Sequence, residues 1–331
     1  MQAFRAPWWL PGGHAQTIWP AKLARHTPEP GAAPPRWRRE RWTTPDADFI
    51  DVDFLDEGAR TGAPLLVLFH GLEGSSQSHY AQAFAQWARR AGWQLAVPHF
   101  RGCSGELNLA PRAYHSGDFE EIGWILGRLR LQHGTRLWAV GISLGGNALL
   151  RWAQEAGDSA ATVTHAVAAV CSPVDLAASG RAIGRGFNRQ VYTRMFLRTM
   201  VPKALAKLAQ HPGLFSREAM LAARDLYEFD NLFTAPLHGF ASTDDYWARA
   251  SAKPHLHQVA VPALALNALN DPFVPVSSLP LAADVSSYVT LWQPAQGGHV
   301  GFPSSPSLWE NFPGHVRAMP EAVTAFLEAQ L

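Results

Sequence analysis

The chain has 331 residues, 47% of them apolar and 17% charged, a balance that supplies a large buried core and excludes a disordered protein. Its 28 lysines and arginines against 27 acids leave a net charge of +1, too small to gather nucleic acid or an anionic membrane, so the expected partner is a small, near-neutral molecule. Two distant cysteines, Cys103 and Cys171, exclude a disulfide scaffold and suit a reducing cytoplasm, and neither an export signal nor a run of about 18 apolar residues is found.

In chain order, the run from Arg36 to Arg41 passes into Trp42 and reads as an edge strand with its long charged side chains toward solvent, not as a nucleic-acid patch. The preceding Gly31-Ala32-Ala33-Pro34-Pro35 reads as a surface loop. Leu65 to Phe69 is an apolar run too short for a helix and predicts a central strand ending at His70-Gly71. Tyr80, Phe84, Trp87, Ala88 and Ala91 recur at helical spacing before Gly92, and Leu95 to Pro98 follows as a strand. Ile122, Ile125, Leu126 and Leu129 mark the next helix, Leu137 to Val140 a strand, and a helix runs on through Gln154. Ala166 to Cys171 reads as the sixth strand, covered on both faces.

Strands alternating with helices predict a mostly parallel central sheet flanked by helices. From about Leu176 to Lys253 the alternation lapses. Arg194 to Val201 and Ala204 to Leu208 read as two short helices, followed by a loop-rich stretch through Asp230 and Gly239, so this segment is expected to be a cap. The sheet resumes at Ala263 to Leu266 and Val289 to Trp292, and a helix from about Pro320 closes the chain. The expected division is a core of residues 1–175 and 254–331, including an N-terminal arm of 1–35, and a helical cap of 176–253.

Gly141-Ile142-Ser143-Leu144-Gly145 is the only G-x-S-x-G in the chain and falls between a strand and a helix. That context predicts a nucleophile elbow: the serine is held in a strained turn, and the glycines remove side chains that would clash there. A serine hydroxyl is a poor nucleophile and needs a base within hydrogen-bonding reach. Of the downstream histidines, only His299 lies just past the last strand, in the glycine-flanked loop Gln296 to Phe302. Asp271 leaves the end of the preceding strand beside Pro272 and is the expected acid, with Asp175 in reserve. The loop His70 to Ser75 follows the first central strand, where Leu72 N–H would join Leu144 N–H in an oxyanion hole. No phosphate-loop or H-E-x-x-H pattern occurs, so neither an organic cofactor nor a metal is expected.

These residues together resemble the YheT-like branch of the α/β hydrolases, the AB hydrolase-4 type. The resemblance rests on Gly13-His14-Ala15-Gln16-Thr17, His70 to Ser75, Arg101 to Gly105, Tyr114 to Gly117, Gly141 to Asn147, Asp245-Tyr246 and Gly298 to Phe302. It implies the α/β-hydrolase fold, the same serine, aspartate and histidine, and a carboxylesterase or acylglycerol lipase of broad range. Acyl transfer through the same residues stays open, although no histidine has an aspartate five residues on, and so does a catalytically silent fold that binds a ligand. His14 and Gln16 could cover the pocket or brace a loop, and Arg101 would brace one. Met195, Phe196, Leu197, Met200 and Val201 could line an apolar acyl pocket or pack the cap. Acyl length, the natural alcohol and the oligomeric state are not legible from the sequence.

Overall fold

The computed structural model describes residues 4–24, 33–134, 137–304 and 314–330, so Gly31 and Ala32 of the expected surface loop lie outside the described residues. Eight strands form one sheet: β1 (Trp37–Thr43), β2 (Phe49–Leu55), β3 (Leu65–Phe69), β4 (Gln94–Pro98), β5 (Leu137–Ile142), β6 (Thr164–Val170), β7 (Ala263–Leu266) and β8 (Val289–Trp292). Their order is β1-β2-β4-β3-β5-β6-β7-β8; β1 pairs antiparallel with β2, as β2 does with β4, and every other pairing is parallel. All five residues of β3 are at most 1% exposed, so this strand is covered on both faces and its apolar run needs no alternation. β1 is the edge strand expected of its charge pattern. Arg39 and Arg41 bridge to Asp53 and Asp51 on β2, at 2.7 and 2.8 Å.

One face of the sheet is covered by α2 (His79–Ala91) and the last helix, α13 (Ala318–Glu328), the other by α3 (Phe119–His133) and α4 (Leu144–Ala156). The turn residues behave as their chemistry requires: Gly92 and Gly134 end α2 and α3 in the left-handed conformation. An N-terminal helix, α1 (Gly12–Lys22), lies against the loops that follow β7 and β8, and a short α5 (Ala160–Val163) leads into β6.

Between β6 and β7 the chain forms a series of helices joined by short loops: α6 (Leu176–Ile183), α7 (Gly186–Asn188), α8 (Arg194–Gln210), α9 (Arg217–Ala222), α10 (Leu226–Leu232), α11 (Thr234–Leu237) and α12 (Thr243–Ala250). Two expectations are corrected here. The pair of short helices around residue 200 is one helix, α8, which carries Pro202 inside it and continues from a π-helical turn at Arg189–Thr193. The stretch through Asp230 and Gly239 is built of α9 to α12. Ser216, Asp225 and Ser242 each accept the amide hydrogen bond that starts a helix, a capping signal missed beneath the weak apolar periodicity. No helix among the described residues is long and apolar enough to cross a membrane.

The chain runs from β3 out to β4 and then returns past β3 to β5, so the direction of winding reverses between β3 and β5. In open parallel sheets this reversal opens a crevice at the carboxyl ends of the strands, where ligands bind. The loop after β3 carries Leu72, and the turn after β5 carries Ser143.

Candidate active site

Ser143 joins β5 to α4 with φ 52° and ψ −117°, a conformation that costs a side-chain-bearing residue about 1–3 kcal/mol and persists only where the surroundings enforce it. They do so by close packing. A methyl group on Gly141 would lie 2.5 Å from the Gly145 carbonyl oxygen, one on Gly145 2.5 Å from the His70 oxygen, and one on Gly146 1.9 Å from Ser172 Oγ. The Ser143 amide donates to the Val170 carbonyl at 2.8 Å, tying the turn to β6.

The three residues singled out for nucleophilic chemistry come together. Ser143 Oγ lies 3.0 Å from His299 Nε2, and His299 Nδ1 lies 2.8 Å from Asp271 Oδ2. The Asp271 carboxylate is fully buried, and its other oxygen accepts the Phe273 amide at 2.7 Å. Phe273 also packs on the imidazole, with ring centroids 4.2 Å apart. A buried carboxylate that accepts from Nδ1 fixes the tautomer in which Nε2 faces the hydroxyl as a base. Asp175, the reserve acid, is occupied elsewhere: it caps α6 by accepting the Ala178 amide at 2.9 Å.

Leu72 and Leu144 both line the cavity that reaches Ser143. The amides on either side of Leu72 are taken, Gly71 N–H by Tyr80 Oη at 3.0 Å and Glu73 N–H by Tyr114 Oη at 2.9 Å. Among the described residues, the Leu72 and Leu144 amides have no hydrogen-bond partner. The loop abuts the serine, for a methyl group on Gly71 would lie 3.2 Å from Ser143 Cβ. His70 anchors the base of this loop, donating from Nδ1 to Gly71 O at 2.7 Å and accepting the Phe100 amide on Nε2 at 3.0 Å. Burial, with help from nearby His99, lowers its pKa to about 3, so it stays neutral and able to accept.

The N-terminal helix supplies a brace that motif reading left open. Gln16 Oε1 accepts from Gly297 N–H and from Asn270 Nδ2, both at 2.9 Å, joining the loop that carries the histidine to the loop that carries the acid. Thr17 Oγ1 accepts the His299 amide at 2.8 Å, and Asn270 Oδ1 accepts the Gly298 amide at 3.0 Å. Approach is close enough that a methyl group on Gly13 would lie 1.8 Å from Asn270 O, and one on Gly301 1.8 Å from Gln16 O. Gln16 therefore braces, while His14 pairs with Tyr192 Oη at 3.1 Å between α1 and the inserted helices. Arg101 likewise braces, bonding to Asp46, Asp48 and Glu121 at 2.6 to 2.9 Å.

Cys171, Asp271 and His299 present ligand atoms within 4.8 Å of one another. Their chemistry does not suit a metal: the imidazole spans the carboxylate and the hydroxyl, and burial, then the charge of Asp271, push the Cys171 thiol well above its ordinary pKa. The thiol instead accepts the Val300 amide at 3.2 Å, supporting the histidine loop from beneath.

The cavity above Ser143 is walled mainly by the helices between β6 and β7. Phe196 and Met200, one turn apart on α8, face it along with Ile183, Phe229 and Phe233. Of the other residues weighed for α8, Leu197 and Val201 take the packing alternative beside the cavity and Met195 is exposed, because one helix presents only a single stripe to it.

A family model described as the alpha/beta hydrolase fold matches residues 64–306, and with the strand order and elbow geometry it places the chain in the α/β-hydrolase family. Within that family it is YheT-like: it is 36% identical over 325 residues to YheT of Escherichia coli strain K12, which carries an esterase name, covering 96% of this chain and 92% of that one. Human phospholipase ABHD3 is 27% identical and covers 81% of this chain and 67% of its own. The monoacylglycerol lipase of Saccharomyces cerevisiae is also 27% identical, covering 80% and 59%. The fold is shared with the solved Pyrococcus furiosus esterase Pf2001, at TM-score 0.54 and 15% identity over 89% of this chain and 93% of that one.

Proposed function

We propose that this chain is a serine hydrolase that cleaves carboxylic esters with apolar acyl groups, in the manner of a carboxylesterase or acylglycerol lipase. The observation that carries the reading is the unbroken line from Ser143 Oγ through His299 to a buried Asp271, at 3.0 and 2.8 Å, opening on an apolar cavity. The esterase, phospholipase and monoacylglycerol lipase names of its relatives point the same way.

In this reading His299 takes the Ser143 proton as Oγ bonds to the ester carbonyl carbon, and the Leu72 and Leu144 amides hold the oxyanion. The C–O bond to the alcohol then breaks, and His299 returns the proton to the departing oxygen. Water, deprotonated by His299, releases the acid by the reverse sequence. The Asp271 carboxylate, hydrogen-bonded to His299 Nδ1, orients the imidazole and stabilises the imidazolium. The substrate needs no charge, in keeping with a net charge of +1 and a cavity wall rich in Phe, Met, Leu and Ile side chains, where Glu73 and Lys203 pair with each other. Residues 176–253 would form the cap that selects the acyl chain, over a core of 1–175 and 254–331. The two cysteines are free, which suits a reducing compartment.

The test is a panel of p-nitrophenyl esters from acetate to palmitate, with released acid and any transferred acyl group identified after an alcohol is added. Wild type should turn over the panel and release mainly free acid, and Ser143→Ala should lose at least about 10⁴-fold in kcat/KM while keeping its thermal midpoint. Retained turnover in the variant would remove Ser143 from the mechanism.

A further inference from the structure

Glu73 directly follows Leu72 and, though not a glycine, holds a positive φ of 57°. Three contacts keep it there. Its amide donates to Tyr114 Oη at 2.9 Å, and the same hydroxyl donates back to Glu73 Oε1 at 2.9 Å. Burial keeps the Tyr114 phenol well above its ordinary pKa, so it remains a donor, and its ring stacks on Phe100 with centroids 5.4 Å apart. The third contact comes from α8: Lys203 Nζ lies 2.9 Å from Glu73 Oε2 and 3.0 Å from Oε1. One turn further along α8, buried Lys207 donates to the carbonyls of Asn108 and Ala110 at 2.5 and 2.9 Å, pinning the helix over the sheet.

We propose that the Glu73–Lys203 ion pair, closed by Tyr114, is a positioning device: it ties helix α8 to the oxyanion loop and aims the Leu72 amide when the cap is seated. This rests on the oxyanion role of Leu72 proposed above. The ion pair is a poor source of stability, because each charge gives up hydration to form it. Its value is geometric. Without Lys203, the Glu73 carboxylate would be held by Tyr114 alone, and the residue would be less firmly kept in its left-handed conformation. The Leu72–Glu73 peptide would rotate with it and, through the dihedrals of Leu72, shift the preceding Gly71–Leu72 peptide that carries the Leu72 amide. The acyl-binding cap would thereby govern the chemistry without contributing an atom to it.

The experiment uses p-nitrophenyl acetate, too small to depend on the acyl cavity, and a short alkyl trifluoromethyl ketone, whose hemiketal with Ser143 places an oxyanion in the hole. Lys203→Met and Glu73→Gln should each lower kcat about tenfold with KM within about twofold, and weaken the ketone by the same factor. The double variant should be no worse than either single one, and Lys203→Arg should recover most of the loss. A change confined to KM, unaltered ketone affinity, or additive losses would overturn the proposal. If Lys203→Met does not fold, Glu73→Gln and Tyr114→Phe report the same quantity. Wild type inert toward acetate would instead overturn the hydrolase reading, whereas a clasp variant with full kcat beside an inert Ser143→Ala would overturn the clasp alone.

Discussion

The strand ends and the helices inserted between β6 and β7 meet at Ser143 but are built on different rules. At the strand ends, position is fixed by backbone contact: glycines with no room for a methyl group, a serine at φ 52°, and amides bonded to side chains of α1 and to the Val170 carbonyl of β6. In the inserted helices, position is fixed by side chains, with Met200, Phe229 and Phe233 in one apolar cluster and Lys203, Lys207, His238 and Tyr246 hydrogen-bonded to the loops after β3 and β4. The first kind of construction tolerates almost no substitution and suits a reaction whose atoms must be placed within a fraction of an ångström. The second tolerates volume-conserving change, which would suit the acyl-selecting role proposed for these helices.

The largest effect should come from the strand ends. Asp271→Asn leaves the shape intact but lets the imidazole take the wrong tautomer, and kcat on any ester should fall about 10³- to 10⁴-fold, measured by p-nitrophenol release. An equal loss from an apolar swap in the inserted helices, such as Met200→Leu, would erase the contrast. Next is Gly13→Ala, whose methyl group must displace Asn270 O and so the loop bearing the acid. It should cost about 2–3 kcal/mol of unfolding free energy in a urea titration and at least tenfold in kcat, although residue 13 touches no substrate.

The smallest effect, and the most specific to the inserted helices, concerns Asp230. Burial raises its pKa to about 6, against the opposing hydrogen bonds from Thr234 and Trp247. Its folded pKa lies above the unfolded value, so the folded state is favoured by protonation. That stability is present below about pH 4 and is lost as pH rises through about 6. Asp230→Asn should therefore be more stable relative to wild type at pH 8 than at pH 5, by roughly 1 kcal/mol in paired urea titrations. A difference independent of pH would show that Asp230 is not buried as an acid.

Legibility in the sequence follows the same division. The elbow was readable because Gly141, Ser143 and Gly145 sit within five residues, and His299 and Asp271 because each follows a strand in a fixed order. The edge strand, the sheet's apolar runs and the end of α2 at Gly92 were legible for the same local reason. Gln16 was not: its partners Asn270 and Gly297 lie more than 250 residues away, and nothing near Gln16 announces them. Helices α9 to α12 were obscured because each is eight residues or shorter and is held by neighbours, so apolar periodicity had little length in which to appear. Their caps, Ser216, Asp225 and Ser242, were the available signal. The unbroken course of α8 through Pro202 ran against the rule that proline ends a helix.

Whether Ser143 is an activated nucleophile can be asked without knowing the natural substrate. Native protein treated with a fluorophosphonate should gain one adduct, located by peptide mass spectrometry on Ser143, at a rate that collapses in His299→Ala and Asp271→Asn. An unmodified Ser143, or labelling that proceeds unchanged without the imidazole, would contradict the account.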